Sequence, residues 1–284
     1  MYQKKVIIYG AGQCGIIAQT WLKRDLNIIG FADRREELQG KRIGGLTVID
    51  PEKIPDYGPD LIVIAVLNAE QDRLIRDWLL ESGITGERIL SIRSLKEYVD
   101  ARFSAARLIA EEINSRDVPG AVAELGVYKG EFAALINELF PDRGLYLFDT
   151  FEGFNAKDIA AEIKGGLSFA AAGDFRDTSV DLVRSRLPFP ERAVFRKGYF
   201  PDTALGIEKN FAFVSIDADL YQPVYEGLKY FWPRMNKGGY ILIHDYNSLQ
   251  YQGAGMAVRQ FCGENDLFVV PLSDMHGSAV LIKA

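Results

Sequence analysis

A chain of 284 residues, 48% hydrophobic and 25% charged, has room for two ordinary domains and the balance of a folded globular protein. Its formal net charge of -6 argues against nucleic acid or an anionic membrane as a partner. The two cysteines, Cys14 and Cys262, have no metal-like spacing and make no disulfide framework, so a reducing cytoplasm is the expected location.

The first apolar run, residues 5–9, reads as a buried strand. It is far too short for the h-region of a signal peptide, and no later stretch approaches a membrane span. Gly10, Gly12 and Gly15 then spell G-x-G-x-x-G, and a helical pattern follows at once. Such glycines permit a tight turn and let a phosphate approach a helix N-terminus. The next strand, in "NIIGFADR", ends at Asp33, where an acid binds ribose in dinucleotide folds. Further strands are expected in "LIVIAVLNAE" and "RILSI", with an amphipathic helix over about 71–80 between them. The pattern ends near residue 93, after four or five strands, which is short for a dehydrogenase. A Rossmann-like domain that binds another nucleotide, or none, fits as well as one that binds NAD. The words "GFADRREELQGKRIGGLTVID" resemble the small Rossmann-like domains found beside sugar-modifying enzymes. That resemblance implies nucleotide or nucleotide-sugar binding without catalysis, in a first domain of residues 1–95.

A helix is expected over 94–115, capped by Ser94 with Glu97 closing a capping box, and joining the halves rigidly. The second domain, 96–284, repeats strand patterns at 121–127, 144–150, 193–199, 211–218 and 238–246. Helical patterns separate most of them, so the sheet should be parallel and covered on both faces. The last strands, "LFVVPL" and "SAVLIKA", are a hairpin apart. The fold class is therefore α/β, two Rossmann-like parallel sheets, the second closed by an antiparallel hairpin.

That ending resembles the class I S-adenosylmethionine-dependent methyltransferases. "AELGVYKGE" looks like their first motif, which implies Glu124 at the amino-acid end of the cofactor and Gly126, Tyr128 and Gly130 around it. "LFDTFEGF" puts Asp149 where an acid accepts hydrogen bonds from ribose hydroxyls; Glu124 could instead be an acid stabilising a helix dipole. The phrases "FDTFEGF", "KGYFPDT", "IDADLYQPVYEGLKYFWPRMNKGGYILIHDY" and "GAGMAVRQF" occur in the order found in the macrocin O-methyltransferase (TylF-like) family. The resemblance covers about residues 100–284. It implies metal-dependent methylation of sugar hydroxyls, S-adenosyl-L-methionine and Mg2+ or another divalent cation as cofactors, and a small-molecule or glycan substrate.

Under that resemblance Asp217, Asp219 and Asp245 converge beyond the carboxyl ends of their strands and ligate the metal. Asp217 also lies beside the cofactor, and Asp217 or Asp219 takes the proton of the hydroxyl. Strand alternation puts these two on one face, so either can be a supporting group. His244 departs from the family pattern, which has two acids before the tyrosine. It is a metal ligand, a general base, or a neighbour pointing away from the site. Tyr221 and Tyr246 line the site or pack in the core. Phe200 is expected near the adenine and Asp202 at a turn. His276 reads as a surface loop residue. Residues 151–192 form a long connection, read as a lid with a short helix capped by Asp177 or Thr178.

These features together point to a sugar O-methyltransferase, and the resemblance implies a homo-oligomer, since relatives commonly form one. Two other readings stand beside it: an NAD- or nucleotide-binding oxidoreductase- or epimerase-like protein, and a non-catalytic nucleotide-binding module whose methyltransferase half has decayed.

Overall fold

The computed structural model describes residues 3–22, 26–96, 99–168, 170–171, 173–275 and 277–284. Glu97 and His276 lie outside the described residues. The chain forms two compact units, one of residues up to 101 with Ser273–Met275, the other of residues 102–272 with the C-terminal stretch to 284. Among the described residues no helix is long and apolar enough to cross a membrane.

The first unit contains β1 (Lys5–Tyr9), α1 (Gln13–Trp21), β2 (Asn27–Ala32), β3 (Arg42–Ile43), β4 (Leu46–Ile49), α2 (Ile54–Tyr57), β5 (Leu61–Ile64), α3 (Ala69–Glu81), β6 (Ile89–Ser91) and α4 (Ile92–Lys96). Its six-stranded sheet runs β3-β4-β2-β1-β5-β6, parallel except for the β3–β4 pair. β3 and β4 add a hairpin that the sequence pattern does not reveal. β3 is two residues long, too short for alternation, and the turn is Gly44-Gly45, both at positive φ. Successive strands fall on either side of β1, so the switch point opens beyond its C-terminal end, where Gly10, Gly12 and Gly15 sit. A Cβ on Gly15 would lie 2.0 Å from the carbonyl oxygen of Gly10, which is why α1 can start so close to β1.

The second unit contains α5 (Ala101–Ser115), β7 (Ala121–Leu125), α6 (Glu131–Leu139), β8 (Leu145–Asp149), α7 (Ala156–Gly165), α8 (Val180–Arg186), β9 (Ala193–Lys197), β10 (Phe211–Ile216), α9 (Tyr221–Phe231), β11 (Met235–Ile243), α10 (Gln252–Asn265), β12 (Val270–Pro271) and β13 (Ala279–Ile282). The expected single helix over 94–115 is interrupted. Ser94 lies within α4, Val99 and Asp100 are outside any helix, and α5 starts anew at Ala101. Asp100 is a residue type favoured immediately before a helix.

The seven-stranded sheet of this unit runs β12-β13-β11-β10-β7-β8-β9. β7 to β11 pair in parallel, and β13 pairs antiparallel with both β11 and β12. The expected parallel sheet with a terminal antiparallel hairpin is what the chain forms. Alternate strand residues bury on opposite faces. Val122, Leu145, Leu147 and Leu242 pack with α5, α6 and α8, while Ala123, Phe148, Val214 and Ile241 pack with α9 and α10. The order reverses at β7, so the crevice between the ends of β7 and β10 is the switch point where α/β sheets bind ligands.

Candidate active site

A cavity of about 450 Å³ opens at that crevice. Glu124 and Gly126 reach it from β7, Tyr128 and Gly130 from the turn into α6, and Asp149 from the end of β8. Asp217, Asp219, His244 and Asp245 reach it from the ends of β10 and β11, and Phe200 from the turn after β9. All of these second-unit positions singled out in the sequence therefore share one cavity. Gly10, Gly12, Gly15 and Asp33 belong to the other unit.

The glycines are a matter of space. Gly126 has φ of +82°, and a Cβ there would lie 2.0 Å from the backbone oxygen of Asp217. Gly130 starts α6 at φ of +80°, with Val183 of α8 against it. Asp149 organises the turn between them. Its Oδ2 accepts from Val127 N at 2.6 Å and Tyr128 N at 2.9 Å, and its Oδ1 accepts from Phe151 N at 2.6 Å. The Tyr128 hydroxyl donates to Asp177 at 2.7 Å.

Glu124 is only 1% exposed, and its Oε2 is buried without a hydrogen-bond partner. Burial pushes its carboxyl well above the usual range, against the opposing pull of Arg102. A buried polar atom without a partner in a native fold calls for a ligand or another explanation.

The acids beyond β10 and β11 do not follow strand alternation. β10 ends at Ile216 and β11 at Ile243, and Asp219 (φ 56°) and Asp245 (φ 57°) turn through the left-handed region. Period-2 reasoning stops where the strand stops, so the shared face expected for Asp217 and Asp219 does not follow from it. His244 Nδ1 lies 2.9 Å from Asp217 Oδ1 and 3.0 Å from Asp245 Oδ2. It faces the acids and does not point away. Among the described residues, Asp217, His244 and Asp245 each offer one ligand atom, all within 4.8 Å of one another. Asp219 lies outside this group. Burial opposes the charge on Asp217, but Arg102 and His244 outweigh it and hold its carboxyl well below the usual range. Burial and the charges of Asp245 and Asp217 push Asp219 well above that range. His244 is raised to about 10, since Asp217 overcomes the effect of burial.

Several lining residues were not singled out in the sequence. Arg102, on α5, pairs with Asp217 Oδ2 at 2.7 Å. Asp158, on α7, accepts from the Tyr199 hydroxyl at 2.9 Å. Phe154, Phe175 and Tyr251 form an aromatic wall, with Phe154 and Phe175 ring centroids 5.1 Å apart. A charge or aromatic on a connecting helix or in a loop looks like ordinary surface until the chain is folded.

The remaining residues singled out in the sequence have the following surroundings. Phe200 is buried and packs edge-on against Phe148 and flat against Phe231. Asp202 opens a single 3-10 turn. Tyr221 stacks on Tyr225 and Tyr246 lies under the Arg259 guanidinium; neither is among the residues lining the cavity. The cap of α8 is Ser179, whose Oγ accepts from Leu182 N; neither Asp177 nor Thr178 fills that place. Asp177 binds Tyr128 and Lys129, and the Thr178 hydroxyl donates to Tyr128 O. In the first unit, Asp33 is already engaged. It accepts from Ala11 N at 2.9 Å and from the Arg35 backbone and guanidinium. It therefore ties the glycine loop to Arg35.

Comparison with known proteins gives this geometry a family. The C2185-like N-terminal family matches residues 2–90, and the macrocin O-methyltransferase family (TylF) matches residues 98–283. Demethyldecarbamoylnovobiocin O-methyltransferase of Streptomyces niveus is 25% identical over 158 residues, which cover 51% of this chain and 60% of that protein. The tetracenomycin 4'-O-methyltransferase of Streptomyces olivaceus that acts on 8-demethyl-8-(2,3-dimethoxy-alpha-L-rhamnosyl)-tetracenomycin-C is 25% identical over 197 residues, 63% of this chain and 71% of that one. The fold is shared with the O-methyltransferase NovP, at a TM-score of 0.54 and 20% identity over 65% of this chain and 80% of that one. It is also shared with the calicheamicin methyltransferase CalS11, at 0.51 and 22% over 75% and 91%. The TylF match runs from residue 98 to residue 283 and includes every residue that lines the cavity: the chain belongs to the macrocin O-methyltransferase family.

Proposed function

We propose that the chain is an S-adenosylmethionine-dependent O-methyltransferase acting on a sugar hydroxyl, assisted by a divalent metal ion. The observation that carries this reading is one cavity that joins the Glu124–Gly126–Asp149 floor to the Asp217–His244–Asp245 group. Family membership and a relative whose substrate bears a rhamnosyl group support the sugar hydroxyl.

The residues fit both absent groups. The buried Oε2 of Glu124 suits an ammonium group, and Gly126 leaves backbone open to a close neighbour. Asp149 fixes the turn that receives the nucleoside and has lone pairs left for ribose hydroxyls. Two carboxylates and an imidazole make a mixed donor set, less selective for magnesium than oxygen ligands alone. A bound ion would supply Lewis acidity, lowering the pKa of the acceptor hydroxyl. Asp219, lining the cavity outside that group, is assigned the proton. Phe154, Phe175 and Tyr251 wall the acceptor side against water, with residues 151–192 as the lid.

The first unit is assigned a nucleotide-binding role. Its glycine loop lies at the switch point of its own sheet, with Arg35 beside Gly12.

Isothermal titration with S-adenosylmethionine, with and without magnesium or manganese, tests the main reading on the wild type and Asp245→Ala. Cofactor binding to both, with metal heat in the wild type alone, is expected. A wild type that binds no S-adenosylmethionine would overturn it.

A further inference from the structure

Four aromatic rings run in continuous contact along the cavity. Tyr128, in the turn into α6, meets Phe175 edge-on with ring centroids 5.1 Å apart. Phe175 meets Phe154 at 5.1 Å, and Phe154 meets Tyr251 at 6.1 Å, both again edge-on. Edge-to-face contact is an arrangement the ring quadrupole favours. The ladder starts at the turn held by Asp149 and ends at Tyr251, just before α10.

Two of these rings sit on costly backbone. Tyr128 has φ of 47° and Phe175 φ of 60°, in the left-handed region that bulky residues avoid. Such strain persists only where the surroundings hold it, and it gathers at functional sites. Tyr128 is held at three points. Its N–H donates to Asp149 Oδ2 at 2.9 Å, its carbonyl accepts from the Thr178 hydroxyl, and its own hydroxyl donates to Asp177 at 2.7 Å. Asp177 and Thr178 belong to the same short stretch as Phe175, so that stretch is clipped to the turn. At the far end Tyr251 is buried with Ala170 and Leu220, and Phe154 and Phe175 pack against that cluster. Leu220 directly follows Asp219, the residue assigned the proton. Tyr251 also bridges Ser168 of the long connection, and Gln252 N donates to Leu167 O at 3.0 Å.

We propose that this ladder sets the order of binding, donor first and acceptor second, with Phe175 as the positioning residue between the two. The inference rests on the methyltransferase reading and deepens it. A ribose held by Asp149 engages the same carboxylate that keeps Tyr128 in its left-handed turn. Tyr128 then fixes Phe175, Phe175 fixes Phe154, and Phe154 sets Tyr251 and the wall beside Leu220 and Asp219. Closely packed rings repack between discrete arrangements and do not deform smoothly, so one end is felt at the other. An acceptor that arrives before the donor meets a wall that has not yet closed.

The test is hydrogen exchange of the full chain, read by mass spectrometry, with and without saturating S-adenosylhomocysteine. In the wild type the ligand should slow exchange at 124–130 and also at 248–252, the latter by about fivefold or more, the lower end of ordinary coupling between sites. Phe175→Ala should keep the slowing at 124–130 and lose it at 248–252. Phe175→Tyr, which keeps the ring, should restore it. A residue that merely packs would, when truncated, speed exchange at 248–252 equally with and without ligand. Slowing at 248–252 that survives in Phe175→Ala in this way overturns the ladder. Wild-type slowing confined to 124–130 also overturns it, even if Phe175→Ala fails to fold. A wild type in which the ligand slows exchange nowhere takes down the methyltransferase reading and this inference with it.

Discussion

Glu124, in the role proposed for it, would serve binding at the expense of the ligand-free fold. Its carboxyl is buried, with one oxygen unpartnered, and titrates well above 4.5, the ordinary glutamate value. An acid whose folded pKa is raised favours folding fully below its unfolded pKa, and that contribution is lost as pH rises through the folded value. Glu124→Gln removes the charge and keeps the shape. The ligand-free variant should therefore be more stable than wild type at neutral pH, by on the order of 1 kcal/mol. The difference should vanish below about pH 4, where both side chains are neutral. Denaturant melts across pH check this, and the same variant should lose affinity for S-adenosylmethionine. His244 is the second case. Restoring a carboxylate with His244→Asp should shift metal preference towards magnesium, and His244→Ala should weaken all divalent ions, read by titration with magnesium, manganese and zinc. The motifs made Glu124, Asp149 and His244 legible in the sequence. They did not reveal which acid partners the histidine, because that depends on backbone turning at Asp219 and Asp245.

Elements set that turning. The buried run of β10 was legible, as was the order of strands and the closing hairpin, because burial on both faces leaves continuous apolar runs. The loops beyond them were not, since no periodicity governs residues past a strand end. Gly126 shows how little freedom those loops have. In Gly126→Ala the methyl would meet the backbone of Asp217, which cannot swing aside, at a φ that L-residues avoid. A loss of about 2–3 kcal/mol in stability is expected by chemical denaturation, with loss of donor binding. The segment proposed as a lid has its own fastening. Glu162 of α7 is buried, and its Oε1 accepts from Tyr221 N, at the first turn of α9, at 2.6 Å. A carboxylate there meets the positive end of a helix. Glu162→Ala should cost about 1.5–3 kcal/mol. It should also speed limited proteolysis within 151–192, while Glu162→Gln, which keeps an acceptor, should stay close to wild type. Unchanged cleavage in Glu162→Ala would remove the latch.

The whole molecule carries two mainly parallel sheets, each with a glycine-bearing loop at a switch point. If each unit has its own ligand, hydrogen exchange should separate them. S-adenosylhomocysteine should protect amides around 124–130, 149–154 and 217–220 and leave Gly10–Gly15 unchanged. A nucleotide or nucleotide sugar should do the reverse. Protection of both loops by one ligand would argue against separate roles. The division itself was legible from two complete strand–glycine–helix openings, but the length of the joining helix was not, because a helical pattern runs across its interruption at Val99–Asp100. The unpaired oxygen of Glu124 has a consequence for protein lifetime. A fold that is less stable empty than filled spends more time open to proteases when its donor is scarce. The abundance of this chain in a cell would then follow the supply of methyl donor, without any dedicated regulator.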